Sequence, residues 1–250
     1  MTGILSHYKM AKLSININKF ALIRNSRGEN KPNLLTIARQ CLDLGADGLT
    51  VHPRPDGRHI RYKDVFELKK LVQDYPGKEF NVEGYPSNDF IKLIQATKPD
   101  QVTLVPDPPE ALTSSFGWDI INEKEFLKDV VPQFPCRTSI FLNPGMTDLD
   151  TLKDINPSRV EIYTYAYAKQ FPTSKKGAIS PILDLASQLK NSGIHLNAGH
   201  DLDLNNLSFL VQNVPTLTEV SIGHAFVTDC IQQGITATLK EYLKNCVLTK

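Results

Sequence analysis

Apolar and polar positions along the chain follow two alternating rhythms. Short runs of β-branched and apolar residues, read as strands, are separated by longer segments in which apolar residues recur every three or four positions, read as helices. Leu13-Ser14-Ile15-Asn16-Ile17-Asn18 alternates strictly and predicts a first strand over 13–18, with Asn where strands seldom carry it. Leu34, Ile37, Ala38, Cys41 and Leu42 share one helical face, entered at Pro32-Asn33 and closed by Gly45. Leu49-Thr50-Val51 predicts the second strand, and Val65, Phe66, Leu68, Leu71 and Val72 the helix after it, stopped by Tyr75-Pro76-Gly77. The unit then repeats. Further strands are predicted at 80–83, 102–105, 137–142, 160–163, 194–197 and 219–222. Helices are predicted after a Ser87 cap, near 123–131, from Thr147 through Leu152, around Ile182 to Leu189, near 205–212 and over 227–242. Residues 106–118 read as a loop long enough for a lid or binding segment, and 169–177 as a polar loop.

Eight strand-then-helix units in 250 residues are the arithmetic of an α/β (β/α)₈ barrel in a single domain spanning 1–250, with residues 1–11 as a flexible N-terminal extension. The rival is a doubly wound open sheet. That fold normally carries a Gly-rich fingerprint after its first strand, and Asn16-Ile17-Asn18-Lys19-Phe20 is not one.

Composition adds mostly exclusions. A hydrophobic content of 41%, a charged content of 22% and a formal net charge of +1 suit a soluble globular protein and give no support for nucleic-acid or membrane-surface binding. Any positive potential must then be local to a pocket. No apolar run is long enough to cross a bilayer, and residues 1–12 lack the apolar segment of a secretory signal. Cys41, Cys136, Cys230 and Cys246 are widely spaced without a Cys-x-x-Cys pair, which suits free thiols in a reducing cytoplasm.

In a barrel the loops after the strands open on one face, so strand ends distant in sequence converge. Those ends carry Asn16 and Asn18, His52 and Arg54, Glu83, Glu161, His200, and His224. The stretch after the second strand is the densest, with His52, Arg54, Arg58 and His59 held apart by Pro53, Pro55 and Gly57, a basic and stiffened loop suited to an anionic substrate. Four of the six histidines fall in such loops; the others are His7, in the tail, and His195, inside the seventh strand. Imidazoles beside carboxylates whose protons burial can retain are the usual means of moving protons at neutral pH. Gly223-His224 precedes a helix whose N-terminal N–H groups could receive a phosphate. No metal site is expected, because no His-x-His follows the first strand and Arg54 would place a guanidinium beside any cation at His52.

Asn16-Ile17-Asn18, Arg24-Asn25-Ser26-Arg27-Gly28, the run from Gly45 through Arg54, Arg58-His59-Ile60, Asn81-Val82-Glu83, Asn197-Ala198-Gly199-His200 and Ile222-Gly223-His224-Ala225 together resemble the motifs of the pyridoxine 5'-phosphate synthase family, in the same order and over essentially the whole chain. The resemblance implies a (β/α)₈ barrel with extra helices, assembled as a homo-octamer. It also implies condensation of 1-deoxy-D-xylulose 5-phosphate with 3-amino-2-oxopropyl phosphate to pyridoxine 5'-phosphate, phosphate and water, with no metal or organic cofactor. Carried over by motif, His52 and Glu83 would accept protons, His200 would donate one, and Glu161 would stabilise cationic intermediates. Asn18, Lys19, Arg54, His59 and Thr113 would hold the deoxyxylulose phosphate; Asn16, Arg24, Asp201, Gly223 and His224 would hold the amino-ketone phosphate. Three departures stand out. The family's usual Asp-His is Asn18-Lys19 here, its usual Gly after the donor histidine is Asp201, and its usual Glu-Gly in the fourth loop is Ser115-Phe116, which bears on the alignment of Thr113. The alternatives are another phosphosugar-binding barrel enzyme and a non-catalytic relative that binds phosphorylated ligands.

Overall fold

The computed structural model of the protein describes residues 11–107, 114–145 and 148–247. Eight parallel strands, β1 (Lys12–Asn16), β2 (Gly48–Val51), β3 (Glu79–Gly84), β4 (Gln101–Leu104), β5 (Arg137–Leu142), β6 (Arg159–Tyr163), β7 (His195–Gly199) and β8 (Leu217–Ile222), close into a barrel in sequence order, β8 pairing with β1. The (β/α)₈ fold expected from the alternation is therefore the fold observed. Helices α1 (Asn18–Asn25), α2 (Leu34–Asp43), α3 (Tyr62–Gln73), α4 (Asn88–Thr97), α5 (Lys124–Val130), α6 (Leu149–Ile155), α7 (Tyr165–Gln170), α8 (Lys175–Leu189), α9 (Leu207–Asn213), α10 (His224–Gln233) and α11 (Ile235–Asn245) fill the connections.

Several elements differ from the periodicity reading. The first strand ends at Asn16 rather than running through Asn18, because the Asn16 side-chain oxygen accepts the Asn18 N–H at 3.0 Å and turns the chain into α1. Helix α7 occupies ground expected to lead into a polar loop. The single helix expected over 227–242 is two, parted by Gly234 at φ +78°, a left-handed conformation that glycine adopts without steric cost. Asp148 caps α6 with its side chain; Thr147, expected to start that helix, and Thr113 lie outside the described residues. The expected N-terminal extension lies outside them too, except Ala11, which is buried.

The hydrophobic core lies between the strands and the helices. Leu13, Ile15, Leu49, Val51, Phe80, Val82, Val102, Leu104, Ile140, Leu142, Val160, Ile162, Val220 and Ile222 alternate along the strands and are all buried beneath the helical layer. The intervening residues face the lumen and are overwhelmingly polar: Ser14, Asn16, Thr50, Asn81, Glu83, Gln101, Thr103, Ser139, Arg159, Glu161, Asn197 and Glu219. Contacts between strands that are not neighbours establish this, since only the lumen can bring them together. Glu79 of β3 pairs with Lys12 of β1 and with Arg137 of β5 at 2.5 Å, and Thr103 of β4 donates to Glu161 of β6 at 3.4 Å. Branched apolar residues fill most such barrels, so a polar lumen is this chain's departure from the common pattern.

At Gly48 the paired strand leaves no room for a side chain. A Cβ there would stand 2.5 Å from the carbonyl oxygen of Glu79 on the paired strand, with no flexible side chain to yield. Gly48→Ala is expected to cost about 1–3 kcal/mol through forced separation of β2 and β3. A lower urea midpoint at unchanged slope is the expected signature; an unchanged midpoint would mean that the register there is slack.

Candidate active site

The site is assembled at the C-terminal ends of the strands. The His52 backbone N–H, just past β2, donates to the Asn18 side-chain oxygen at 2.9 Å, which ties the basic loop to the start of α1. The loop then folds back on itself through a bridge between Pro53 and Ile60, bringing the His59 ring to 6.1 Å from that of His52. Asn25 clamps the fold-back, its amide donating to the carbonyl oxygens of Gly57, Arg58 and His59. His59 Nδ1 accepts the Ile60 N–H at 2.9 Å, so a neutral ring carries its proton on Nε2. Arg54 is buried, and its Nη2 donates to Asp107 at 2.5 Å; Ser114 donates to the same carboxylate oxygen at 2.6 Å.

Beneath this loop stand the acids. Glu83 of β3 lies 3.9 Å from His52 Nδ1 and accepts from Asn16 at 3.5 Å. Glu161 of β6 is buried and accepts from the Thr103 hydroxyl at 3.4 Å. Across the mouth, His200 follows β7, with its ring edge-on to Tyr163 at 5.1 Å and its Nδ1 2.9 Å from an Asp201 carboxylate oxygen. Gly223 sits at the N-terminus of α10, close against Asn16.

One cavity of about 300 Å³ gathers Asn16, Asn18, Lys19, His52, Arg54, His59, Glu83, Glu161, His200, Asp201, Gly223 and His224. Arg24 is the exception among the described candidates. It is buried on α1 with its fork on both oxygens of Asp64 at 2.8 Å and a further bond to the His59 carbonyl oxygen, and it borders a separate cavity beside α3. The pairing holds α1 to α3 and braces the basic loop through the His59 carbonyl oxygen. Arg58, part of the same basic run, is turned outward onto Asp56. Val105, Ser114, Phe141, Leu202 and Ser221 line the site without having been foreseen. Strand-end position was a signal for Val105, Phe141 and Ser221; nothing in the sequence singles out Ser114.

The model of the pyridoxal phosphate biosynthesis protein PdxJ family matches residues 13–247. The chain belongs to the PdxJ family. It is 47% identical over 238 residues to the pyridoxine 5'-phosphate synthase of Cytophaga hutchinsonii, covering 94% of this chain and 98% of that one. The enzyme of the same name from Bacteroides fragilis is 47% identical over 241 residues, covering 95% and 100%. Among solved structures, tryptophan synthase from M. tuberculosis superposes with a TM-score of 0.64 at 13% identity over 96% of this chain and 94% of that one, and phosphoribosyl anthranilate isomerase with 0.57 at 11% over 94% and 98%; these likenesses concern the fold alone. Among the described residues, no helix is long and apolar enough to cross a membrane, and no cluster of three or more His, Cys, Asp or Glu side chains is placed to hold a metal ion.

In this PdxJ-family site, burial sets the proton inventory. Burial, with Arg54, His59 and His200 nearby, holds His52 well below the usual imidazole range, so it stands neutral. Burial, Arg54 and Lys19 push His59 down to about 4. Burial, together with the carboxyls of Glu161 and Asp107, drives Glu83 well above the usual range, and burial with Glu219 pushes Glu161 up to about 8. At neutral pH the site therefore pairs the unprotonated imidazoles of His52 and His59 with the protonated carboxyls of Glu83 and Glu161.

The raised Glu161 value has a consequence for stability. Its folded pKa of about 8 exceeds its ordinary value of 4.5, so its contribution to stability is fully present below pH 4.5 and is lost as pH rises through 8. Glu161→Gln, which cannot ionise, is expected to match the parent near pH 4.5. It should gain on the parent by up to about 1.4 kcal/mol per pH unit towards pH 8, then level off. Denaturant titrations across that range read the difference directly; a flat difference would place Glu161 in a far more polar setting.

Proposed function

We propose that the chain is a pyridoxine 5'-phosphate synthase that condenses 1-deoxy-D-xylulose 5-phosphate with 3-amino-2-oxopropyl phosphate, releasing pyridoxine 5'-phosphate, phosphate and water. The observation that carries this reading is the convergence of His52, Glu83, Glu161 and His200 on one cavity, with Arg54, Lys19 and His59 on one flank and the N-terminus of α10 on another. Two phosphorylated substrates call for two anion sites. The guanidinium of Arg54, oriented by Asp107, and the ammonium of Lys19 make one; the N–H groups that open α10 at Gly223 and His224 make the other.

Ring formation through successive dehydrations requires protons to be removed and returned at several points. His52, kept neutral, is the base for the first removal, and Glu83, 3.9 Å away, is the partner with which it trades the proton. Glu161 holds its proton at neutral pH; a cationic intermediate arriving beside it favours the carboxylate, which then stabilises that cation. His200, on the opposite side of the mouth, is the donor to a departing oxygen. A cytoplasmic location and assembly into a homo-octamer belong to the same reading. The neighbouring helices α1 and α10 supply exposed apolar surface for such contacts at Leu22, Ile23 and Ile231.

Purified protein given both phosphorylated substrates is expected to form pyridoxine 5'-phosphate and free phosphate in equal amounts. Binding of the substrates without product would instead mark a non-catalytic relative. His52→Ala should lower kcat by roughly 100-fold or more at unchanged thermal stability, since the side chain serves proton transfer rather than the core. Arg54→Lys should act mainly on KM, raising it about tenfold for one phosphorylated substrate, because an ammonium cannot reproduce the fork. An unaltered KM would remove Arg54 from the anion site.

A further inference from the structure

The loop after β7 adopts a conformation that its residues do not favour by themselves. His200 and Asp201 lie in the left-handed region at φ +74° and +47°, two successive residues with side chains where glycine would be relaxed. The surrounding structure fixes them there. The buried Thr164 hydroxyl donates to the Gly199 carbonyl oxygen at 2.9 Å and also contacts that of His200, and the buried Asn206 amide donates to the Asp201 carbonyl oxygen at 3.2 Å. A Cβ at Gly199 would stand 2.2 Å from a carboxyl oxygen of Glu161, so a side chain there would have to displace that acid. The result is a fixed platform that seats the His200 ring against Tyr163 and Phe141.

A side chain at position 201 adds backbone strain that the family's usual glycine avoids, and a carboxylate there repels a bound phosphate. Its contact with His200 explains its presence. The Asp201 carboxylate lies 2.9 Å from Nδ1 of His200. We propose that Asp201 is a positioning residue for His200, holding the imidazole through Nδ1–H so that Nε2 is the nitrogen presented to the substrate. The inference rests on the reading of His200 as the proton donor.

The carboxylate accepts from Nδ1–H in both charge states of the ring. When a substrate C–O bond breaks, the proton on Nε2 passes to the departing oxygen, which leaves as water. The ring remains neutral as the Nδ1–H tautomer and Asp201 stays ionised throughout. Without the carboxylate, a neutral imidazole favours the opposite tautomer and is free to turn its proton-bearing nitrogen out of line. The side chains are 28% and 39% exposed, so the effect is smaller than for a fully buried imidazole–carboxylate pair.

The test compares the parent with Asp201→Gly and Asp201→Asn. Glycine suits the left-handed backbone, so the loop keeps its path. Nitrogen-15 spectra of the neutral His200 ring should show the Nδ1–H tautomer in the parent and a majority of Nε2–H in Asp201→Gly. Turnover should fall about tenfold in kcat for the glycine variant and less for the asparagine variant, which retains an acceptor, with KM for both substrates held within about twofold. An unchanged tautomer in Asp201→Gly overturns the proposal, as does a KM rise for a phosphorylated substrate at unchanged kcat, which would make Asp201 a ligand contact. The spectra decide the Asp201 role even for a protein without turnover, so failure of this inference is separable from failure of the synthase reading.

Discussion

A polar lumen enclosed by an apolar wall is the constraint from which the site follows. Eight strands present their branched residues outward to the helices and their Ser, Thr, Asn, Glu and Arg residues inward, so each inward group must find its partner within a space walled off from water. A relay of hydrogen bonds answers that demand for part of the lumen, linking Ser14 with Thr50, Thr50 with Asn81, Asn81 with Thr103 and Thr103 with Glu161. The Gln101 amide, the Ser139 hydroxyl and the Asn197 amide nitrogen are buried without a hydrogen-bond partner among the described residues. Charge is then segregated along the barrel axis. At the end where the strands begin, Glu79 is paired with Lys12 and Arg137, which hold it below its ordinary range against the opposing effect of burial, and Glu219 has Arg159 at 3.5 Å. Nearer the mouth, Glu161 and Glu83 have hydroxyl, amide and imidazole neighbours instead of a direct cationic partner. Burial without a hydrogen-bonded cation keeps their protons on, the property that the proposed proton-carrying role requires.

The alternation along the strands made the barrel legible from sequence, and the Asn residues at alternate positions of the first strand were the visible trace of the polar lumen. What stayed hidden depended on contacts between distant segments. The end of β1 is set by an Asn16 side chain turning onto the Asn18 N–H, while the apolar–polar alternation continues past it undisturbed. Gly234 interrupts a helical pattern without spoiling its periodicity, and a single glycine can be carried inside a helix at modest cost, so only its φ of +78° distinguishes the break. Arg24 was assigned to substrate from its place in a motif. Its carboxylate partner lies forty residues downstream, so only the folded chain shows the guanidinium paired with Asp64 and bordering a second cavity.

Strand-borne and loop-borne groups of the site are made rigid by different means. Glu83 and Glu161 inherit their positions from the barrel register. His52, Arg54 and His59 sit on a loop stiffened by proline, but their orientation comes from groups outside it, Asn18 on the His52 backbone, Asp107 on Arg54 and Asn25 on the fold-back. A loop clamped by side chains of other elements can hold reacting groups nearly as well as a strand does, provided every clamp is itself buried or paired. Asp107 meets that condition, buried with Arg54 and Ser114 on one carboxylate oxygen.

Asn18, Lys19 and Asp201 form an electrostatic set. Asn18 offers a neutral amide oxygen to the His52 N–H, so the loop is held without an anion that would favour imidazolium at His52. Lys19 is a permanent cation beside His59 and adds to burial and Arg54 in keeping that ring neutral. Both give the first flank of the cavity a positive potential, which favours a phosphate and disfavours protonated imidazoles there. Asp201 places a negative charge across the mouth, 2.9 Å from Nδ1 of His200. The three residues thus sharpen one division, with unprotonated imidazoles on the flank of β2 and an imidazole beside a carboxylate on the flank of β7. A proton taken on one side of the bound substrate and returned from the other is what that division permits.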